Sequence, residues 1–312
     1  MNIQHLKYIL AVDTHRHFAK AAEKCFVTQP TLSMMVQKLE EELGVKIFDR
    51  SRQPVVPTEA GEKLIEQAKI ILQEVNRMKL IVDELKGEIK GELRLGIIPT
   101  VAPYLLPLFL HSFLKKYPLL KLKITELTTQ QIIDKLKNHQ LDAGILATPL
   151  NNDSLNEQSL YYEQFVVYAS PNEKMMKKKF LLPGDIDTNH LWLLEEGHCL
   201  RSQVLNLCEL RKKELETSNL EYEAGSIETL KKIVDFNNGI TILPELALKE
   251  LSAGDMKNVR HFKPPVPVRE ISIVTYRHFV KQKIIDALKD EICKSVPRKM
   301  ISAKRKLVTA VE

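Results

Sequence analysis

Residues 18–50, "FAKAAEKCFVTQPTLSMMVQKLEEELGVKIFDR", decide how the rest of the chain is read. Phe18, Ala21, Ala22 and Cys25 fall at the spacing of one helical face, and a break follows at Phe26–Val27. Thr28 is placed to cap the next helix, with Pro30 tolerated in its first turn. Leu32, Val36, Leu39 and Leu43 recur at four, three and four residues, which defines the buried side of that helix. Gln29, Thr31, Ser33, Met34 and Gln37 are left facing outward, uncharged and near the helix N-terminus.

Working outward, residues 3–13 put Ile3, Leu6 and Leu10 on one face of an earlier helix. Two short helices across a tight turn, the second presenting small polar side chains early, meet the needs of a helix-turn-helix. Its N-terminal amides take a phosphate, and Gln, Ser or Thr reach base edges. Residues 48–61, "FDRSRQPVVPTEAG", place Arg50 and Arg52 in a proline-flanked hairpin suited to a wing over the phosphate backbone. Residues 1–61 carry eight Lys/Arg and seven Asp/Glu, so DNA binding rests on where charge is placed and not on its sum. A small dimerisation module with a polar face has the same spacing.

These residues resemble the winged helix-turn-helix of the LysR-type transcriptional regulators, densely over residues 2–61. The resemblance implies that Gln29, Pro30, Thr31 and Ser33 sit at the major groove of promoter DNA, with Arg50 and Arg52 in the wing. The domain expected is residues 1–58, followed by a linker helix over 59–88. There Leu64, Ala68, Ile71, Val75, Met78, Val82 and Leu85 alternate four and three apart, the period of a coiled-coil seam. A homo-oligomer with two reading heads per dimer follows; a helix packed on its own domain is the competing reading. "KGEIKG", with Gly87 and Gly91, reads as a hinge.

From residue 89 to about 300, strand and helix patterns alternate: "ELRLGIIPT", "VAPYLLPLFLHSFLKKYP", "LKLKITEL", "TTQQIIDKLKNHQ", "LDAGILA", and later "EYEAG", "SIETLKKIVDFNNG" and "ITILP". They predict an α/β region with a mainly parallel sheet, in two lobes joined by crossovers near 162–165 and 266–269. This is the plan of a periplasmic-binding-protein-like regulatory domain. Thr100 and Ser226 fall in strand-to-helix turns, where ligands and plain caps both occur. Residues 301–312 are expected to be a frayed basic tail.

"HCLRSQVLNLCE", residues 198–209, holds two of the four cysteines. Metal binding lacks a second paired ligand at zinc spacing, and no CxxC occurs. Without Gly or Pro the stretch favours a helix, which over nine residues rises about 13.5 Å and leaves Cys199 and Cys208 on opposite sides. A disulfide needs Cα atoms within roughly 4.4–6.8 Å, so that bond and that helix exclude each other. Closing the ten-residue loop restricts the chain by only about 2.7 kcal/mol. A helix N-terminus and nearby Arg201 are expected to favour the Cys199 thiolate. Two passive buried thiols remain the plain alternative.

"LLEEGHCLRSQVLNLC", with "LRLGIIPTVAPYLLP" and "SIETLKKIVDFNNGITILPELAL", resembles the peroxide-sensing branch of the same family, over residues 1 to about 290. The resemblance implies that Cys199 meets hydrogen peroxide and Cys208 is its disulfide partner. Thr100, Thr129 and His198 would line the pocket. Where the branch often carries paired arginines, only Arg269 is present, followed by Glu270. The resemblance further implies a dimer of dimers, RNA polymerase and a cytosolic thiol reductant as partners, and no cofactor.

No run of eighteen apolar residues and no leader-like N-terminus is present, so a cytoplasmic protein without a membrane partner is expected. Two competitors stand beside the peroxide-switched regulator. One is a regulator sensing a small organic anion between the lobes, and the other is a thiol peroxidase with a DNA-binding appendage.

Overall fold

The computed structural model describes residues 1–85, 89–208, 224–277, 281–302 and 306–309; in its fourth helix the side chains of residues 73, 76, 77 and 79–85 are not described. Gly87 of the expected hinge and most of "EYEAG" lie outside the described residues. The chain forms two compact units, Met1–Glu88 and Ile89–Glu312.

In the first unit, α1 (Ile3–His15), α2 (Phe18–Lys24) and α3 (Gln29–Leu43) close on Leu6, Ile9, Val12, Ala21, Ala22, Leu32, Val36 and Leu39. Thr28 caps α3 through Oγ1, which accepts from the Thr31 amide at 3.4 Å, and Gly44 ends it at φ +70°. Two sequence expectations change. Ile9 and Val12 join Leu6 in the α1 core, with Leu10 packed at its edge and Ile3 exposed, and Leu43 is exposed. Glu40 takes the buried place at the end of α3 because Ile47 and Phe48 need an acceptor. Its Oε1 receives their amides at 2.8 and 3.2 Å.

The wing is a two-stranded hairpin, β1 (Phe48–Asp49) antiparallel to β2 (Val56–Pro57). Helix α4 (Glu59–Leu85) follows. Ala68 is buried in the unit's own core, with Leu64 and Ile71 packed against it, so the first half of the heptad seam serves this chain. Met78, farther along the same seam, is 69% exposed.

The second unit is a sheet bent into two lobes. In the first lobe β3 (Gly91–Ile97) runs parallel to β4 (Leu120–Glu126) and β5 (Ala143–Thr148). Helices α5 (Ala102–Lys116) and α6 (Thr129–Lys137) connect them. Strand β6 (Leu155–Ala169) passes to the second lobe. It pairs with β10 up to Gln164 and with β8 from Phe165.

The second lobe adds β7 (Phe180–Leu181), α7 (Cys199–Leu207), α8 (Ile227–Asn237), β8 (Ile240–Pro244) and β9 (Val259–Phe262). Strand β10 (Val266–Tyr276) returns beside β5 and β6, and α9 (Gln282–Ser295) follows. The crossovers fall where expected. The sheet is mixed and not mainly parallel, because β6 and β10 cross in opposite directions and make antiparallel ladders with each other, β5, β8 and β9.

The described part of the tail is not frayed. Strand β11 (Lys306–Val308) runs parallel to the start of β10, and the Thr309 amide donates to Val268 O at 2.8 Å. Thr309 O accepts from Gln203 Nε2 of α7 at 3.1 Å. No helix among the described residues is long and apolar enough to cross a membrane.

Gly61 sits where α4 meets the wing, and a Cβ there would lie 1.9 Å from Ile47 O. Gly61→Ala should therefore destabilise the first unit by about 1–3 kcal/mol. Hydrogen exchange should show lost amide protection over residues 45–61; unchanged protection contradicts this packing.

Candidate thiol site and nucleic-acid interface

Cys199 opens α7 and Cys208 caps its far end, donating its amide to Val204 O at 3.0 Å. Leu200, Val204 and Leu207 bury the face between them. Nine helical residues hold the two positions about 13.5 Å apart along the axis, and both thiols are free. The arrangement is the separated, reduced form.

Cys199 is buried within electrostatic reach of Arg269. Burial, the largest influence, pushes its thiol above the usual cysteine range; the Arg269 charge, the Thr129 hydroxyl and the Ala147 and Leu200 backbone pull the other way. The expected thiolate is therefore not the resting form, because loss of hydration outweighs the helix end. Nor is Arg201 the cation concerned: its Nη1 donates to Leu194 O at 2.7 Å. The half-buried Cys208 thiol is pushed up to about 11 by burial.

Arg269 has no exposed surface. Its Nε donates to Glu163 Oε2 at 2.9 Å, Nη1 to Thr100 Oγ1 at 3.0 Å and Nη2 to Thr100 O at 3.0 Å. The second oxygen of Glu163 accepts the Leu246 amide at 2.7 Å. Burial pushes the Glu163 carboxyl up, and Arg269 opposes it. Thr100 is thus no plain cap; its hydroxyl accepts from the guanidinium and keeps its own proton for another partner. Thr129 opens α6, and its Oγ1 is buried without a hydrogen bond of ordinary geometry, although it lies close enough to favour the Cys199 thiolate. His198 is buried beside Cys199, but its Nε2 lies 3.4 Å from Glu195 Oε1. Ser226 is a cap, accepting from the Thr229 amide at 3.2 Å.

On the first unit, Gln29, Pro30, Met34 and Gln37 are exposed on α3, while Thr31 and Ser33 are half-buried. Thr31 Oγ1 shares a hydrogen bond with Thr28 Oγ1 at 2.8 Å. Ser33 Oγ accepts from Arg50 Nη1 at 3.0 Å. Arg50 also reaches Glu40 Oε2 at 3.3 Å and stacks 4.8 Å over the Phe18 ring. It clamps the wing to α3. Arg52 is exposed and pairs with Asp49, three residues before it, at 3.2 Å. Among the described residues, no three His, Cys, Asp or Glu side chains gather as a metal site.

Residues 3–62 match the family "Bacterial regulatory helix-turn-helix protein, lysR family", and residues 86–294 match "LysR substrate binding domain". The chain belongs to the LysR family of transcription regulators. Among LysR relatives, the hydrogen peroxide-inducible genes activator of Haemophilus influenzae is 33% identical, over 88% of this chain and 90% of that protein. The DNA-binding transcriptional dual regulator OxyR of Escherichia coli is 35% identical, over 88% and 89%. The structure of full-length OxyR from Pseudomonas aeruginosa, carrying a cysteine-to-aspartate change, superposes with a TM-score of 0.74 at 32% identity, over 95% of this chain and 99% of that one.

Two polar residues of this LysR regulator escaped the sequence reading. Glu163 is an acid inside the apolar run of β6, and strand register sets it directly opposite Arg269. Gln203 is fully buried at the centre of α7. Opposite charges at the two crossovers, Glu163 in one strand and Arg269 in the other, were the available clue to the first; nothing in a helical pattern points to the second.

Arg50→Ala should weaken DNA binding chiefly through the fold, leaving buried Glu40 short of a cation. Arg52→Ala should leave thermal stability unchanged and reduce the salt dependence of DNA affinity by about one phosphate contact. An unchanged salt slope for the second variant would remove Arg52 from the interface. Separately, iodoacetamide should label Cys199 at a rate still rising above pH 9, since burial holds the thiol above that ordinary value. A plateau below it contradicts the buried, protonated resting state.

Proposed function

We propose that this LysR regulator senses hydrogen peroxide through Cys199 and Cys208 and transmits the change to promoter DNA. The observation that carries the reading is a buried thiol at a helix N-terminus, within reach of the Thr129 hydroxyl and of a buried guanidinium that is itself bonded to Thr100. A second thiol stands at the other end of the same helix. The names of the relatives support it.

In the first step the Cys199 sulfur attacks one peroxide oxygen and the O–O bond breaks. The thiol proton joins the departing oxygen, giving Cys199 sulfenic acid and water. Thr100 and Thr129 offer hydroxyls to the two oxygens, and Arg269 favours the sulfur anion that forms. In the second step the Cys208 sulfur displaces the sulfenic hydroxyl, which leaves as a second water, and a disulfide forms. That bond cannot span the intact helix, so α7 must unwind. The packing of Leu200, Val204 and Leu207 is lost with it.

Promoter DNA is met by α3 through Gln29, Pro30, Met34 and Gln37, with Thr31 and Ser33 at its edge and the wing beside it. The exposed Met78 on the α4 seam suits a homo-oligomer, assembled as a dimer of dimers. RNA polymerase and a cytosolic thiol reductant are the remaining partners, and the cytoplasm is the compartment. A small organic anion fits less well, because Glu163 already occupies the cation between the lobes.

Non-reducing mass spectrometry after brief micromolar peroxide should find a Cys199–Cys208 bridge, and its absence would defeat the proposal. Cys199→Ser should keep DNA affinity and retain the reduced footprint under peroxide. Cys208→Ser should accumulate a dimedone-reactive sulfenic acid. A peroxide-shifted footprint in the first variant, or no label in the second, reverses the division of roles.

A further inference from the structure

We infer that Glu163 is a positioning residue that sets the reactivity of Cys199, by competing with the thiolate for the guanidinium of Arg269. The inference rests on Cys199 being the reacting thiol. A guanidinium has five N–H donors. Here Nε–H goes to Glu163 Oε2, Nη1 spends one hydrogen on Thr100 Oγ1, and Nη2 spends one on Thr100 O while lying 2.8 Å from Glu163 Oε2. One Nη1 hydrogen remains uncommitted. A Cys199 anion therefore meets a cation whose charge and donors are already engaged by a carboxylate that is itself fully enclosed.

Glu163 cannot swing aside freely. Its Oε1 holds the Leu246 amide at 2.7 Å, anchoring it to the second lobe, while Thr100 anchors Arg269 to the first. Strand register keeps the two opposed: Glu163 of β6 faces Arg269 of β10, and Tyr161 faces Ile271 one rung on. Ile271 in turn faces Ala147 of β5, whose backbone lies at the Cys199 sulfur. Cation and carboxylate thus share one side of the sheet, and the thiol meets the neighbouring strand β5 at Ala147.

The ionisable groups around them are few. Cys199 is faced by Arg269 from β10, by Thr129 from α6, and by His198, paired with Glu195, from its own helix. Glu163 and Arg269 are faced by Tyr161, by Glu245 with its partner Lys299, and by Tyr104, bonded to Glu228 at 3.2 Å. Arg269 acts on both Glu163 and Cys199. Removing the Glu163 charge leaves the thiolate as its remaining anionic partner.

The sign is definite. Glu163→Gln in the full-length reduced protein should lower the pH midpoint of Cys199 alkylation by about one unit, and raise its labelling at neutral pH about tenfold. A midpoint that is unchanged or raised overturns the inference. Arg269→Gln should raise the midpoint. In that background Glu163 has no cation, takes up a proton in its buried site, and E163Q should then change nothing. An equal drop in both backgrounds would show that Glu163 acts without Arg269, and also overturns it. Circular dichroism checks the fold of each variant. Should E163Q alone fail to fold, R269Q decides, and a midpoint at or below the native one overturns the inference. A native chain that forms no Cys199–Cys208 bridge, yet shows the E163Q shift, would defeat the proposed switch and leave this inference standing.

Discussion

The ion pair between Arg269 and Glu163 stands where both lobes meet, and each partner is almost completely shielded from water. Charges so placed persist only when their hydrogen bonds are filled, since the effective penalty for drying each ion is several kcal/mol. The filling comes from both sides: Thr100 belongs to the turn after β3, and Leu246 follows β8. Parting the lobes at this point would strip partners from a dry guanidinium and a dry carboxylate together. The pair therefore ties the turn carrying Thr100 in one lobe to the segment carrying Leu246 in the other.

Helix α7 stands in a different balance. Its Leu200, Val204 and Leu207 are buried, but it spans little more than two turns and opens without a side-chain cap. Helices this short depend on tertiary packing for nearly all their stability. A covalent event at one end competes with a handful of apolar contacts, not with the sheet beneath. Strand β10 holds the cation, the turn after β3 and the first residue of α6 hold the hydroxyls, and a short helix carries the sulfurs. That division lets one segment rearrange while the surrounding geometry stays in place.

Most of the architecture is visible in residue order. The break at Phe26–Val27, the Thr28 cap and the alternation of strand and helix after residue 91 are local features, and local features survive translation into coordinates. The errors are of another kind. Leu43 is spaced for burial, yet Glu40 takes the inner position because two backbone amides from the wing need an acceptor. Arg50 has the look of a DNA contact, and its bracing of the wing against α3 was not foreseen. The direction of β6 and β10 depends on a crossover that hydrophobic periodicity does not register. At the thiol site, Cys199, Thr100, Thr129 and Arg269 were singled out from residue order, while Glu163 and Gln203 were not. Both are polar residues answering to groups more than a hundred positions away, and no window of sequence contains the question they answer.

The amide of Gln203 and the last described backbone carbonyl, that of Thr309, are 106 positions apart and meet in a dry interior. Clipping the chain ahead of Thr309 would strand that amide at a cost of about 1–3 kcal/mol, charged to the very helix on which both sulfurs ride. The segment that reaches Thr309 is thus a strut under α7, and whatever loads or cuts that strut is felt by the helix that carries both thiols.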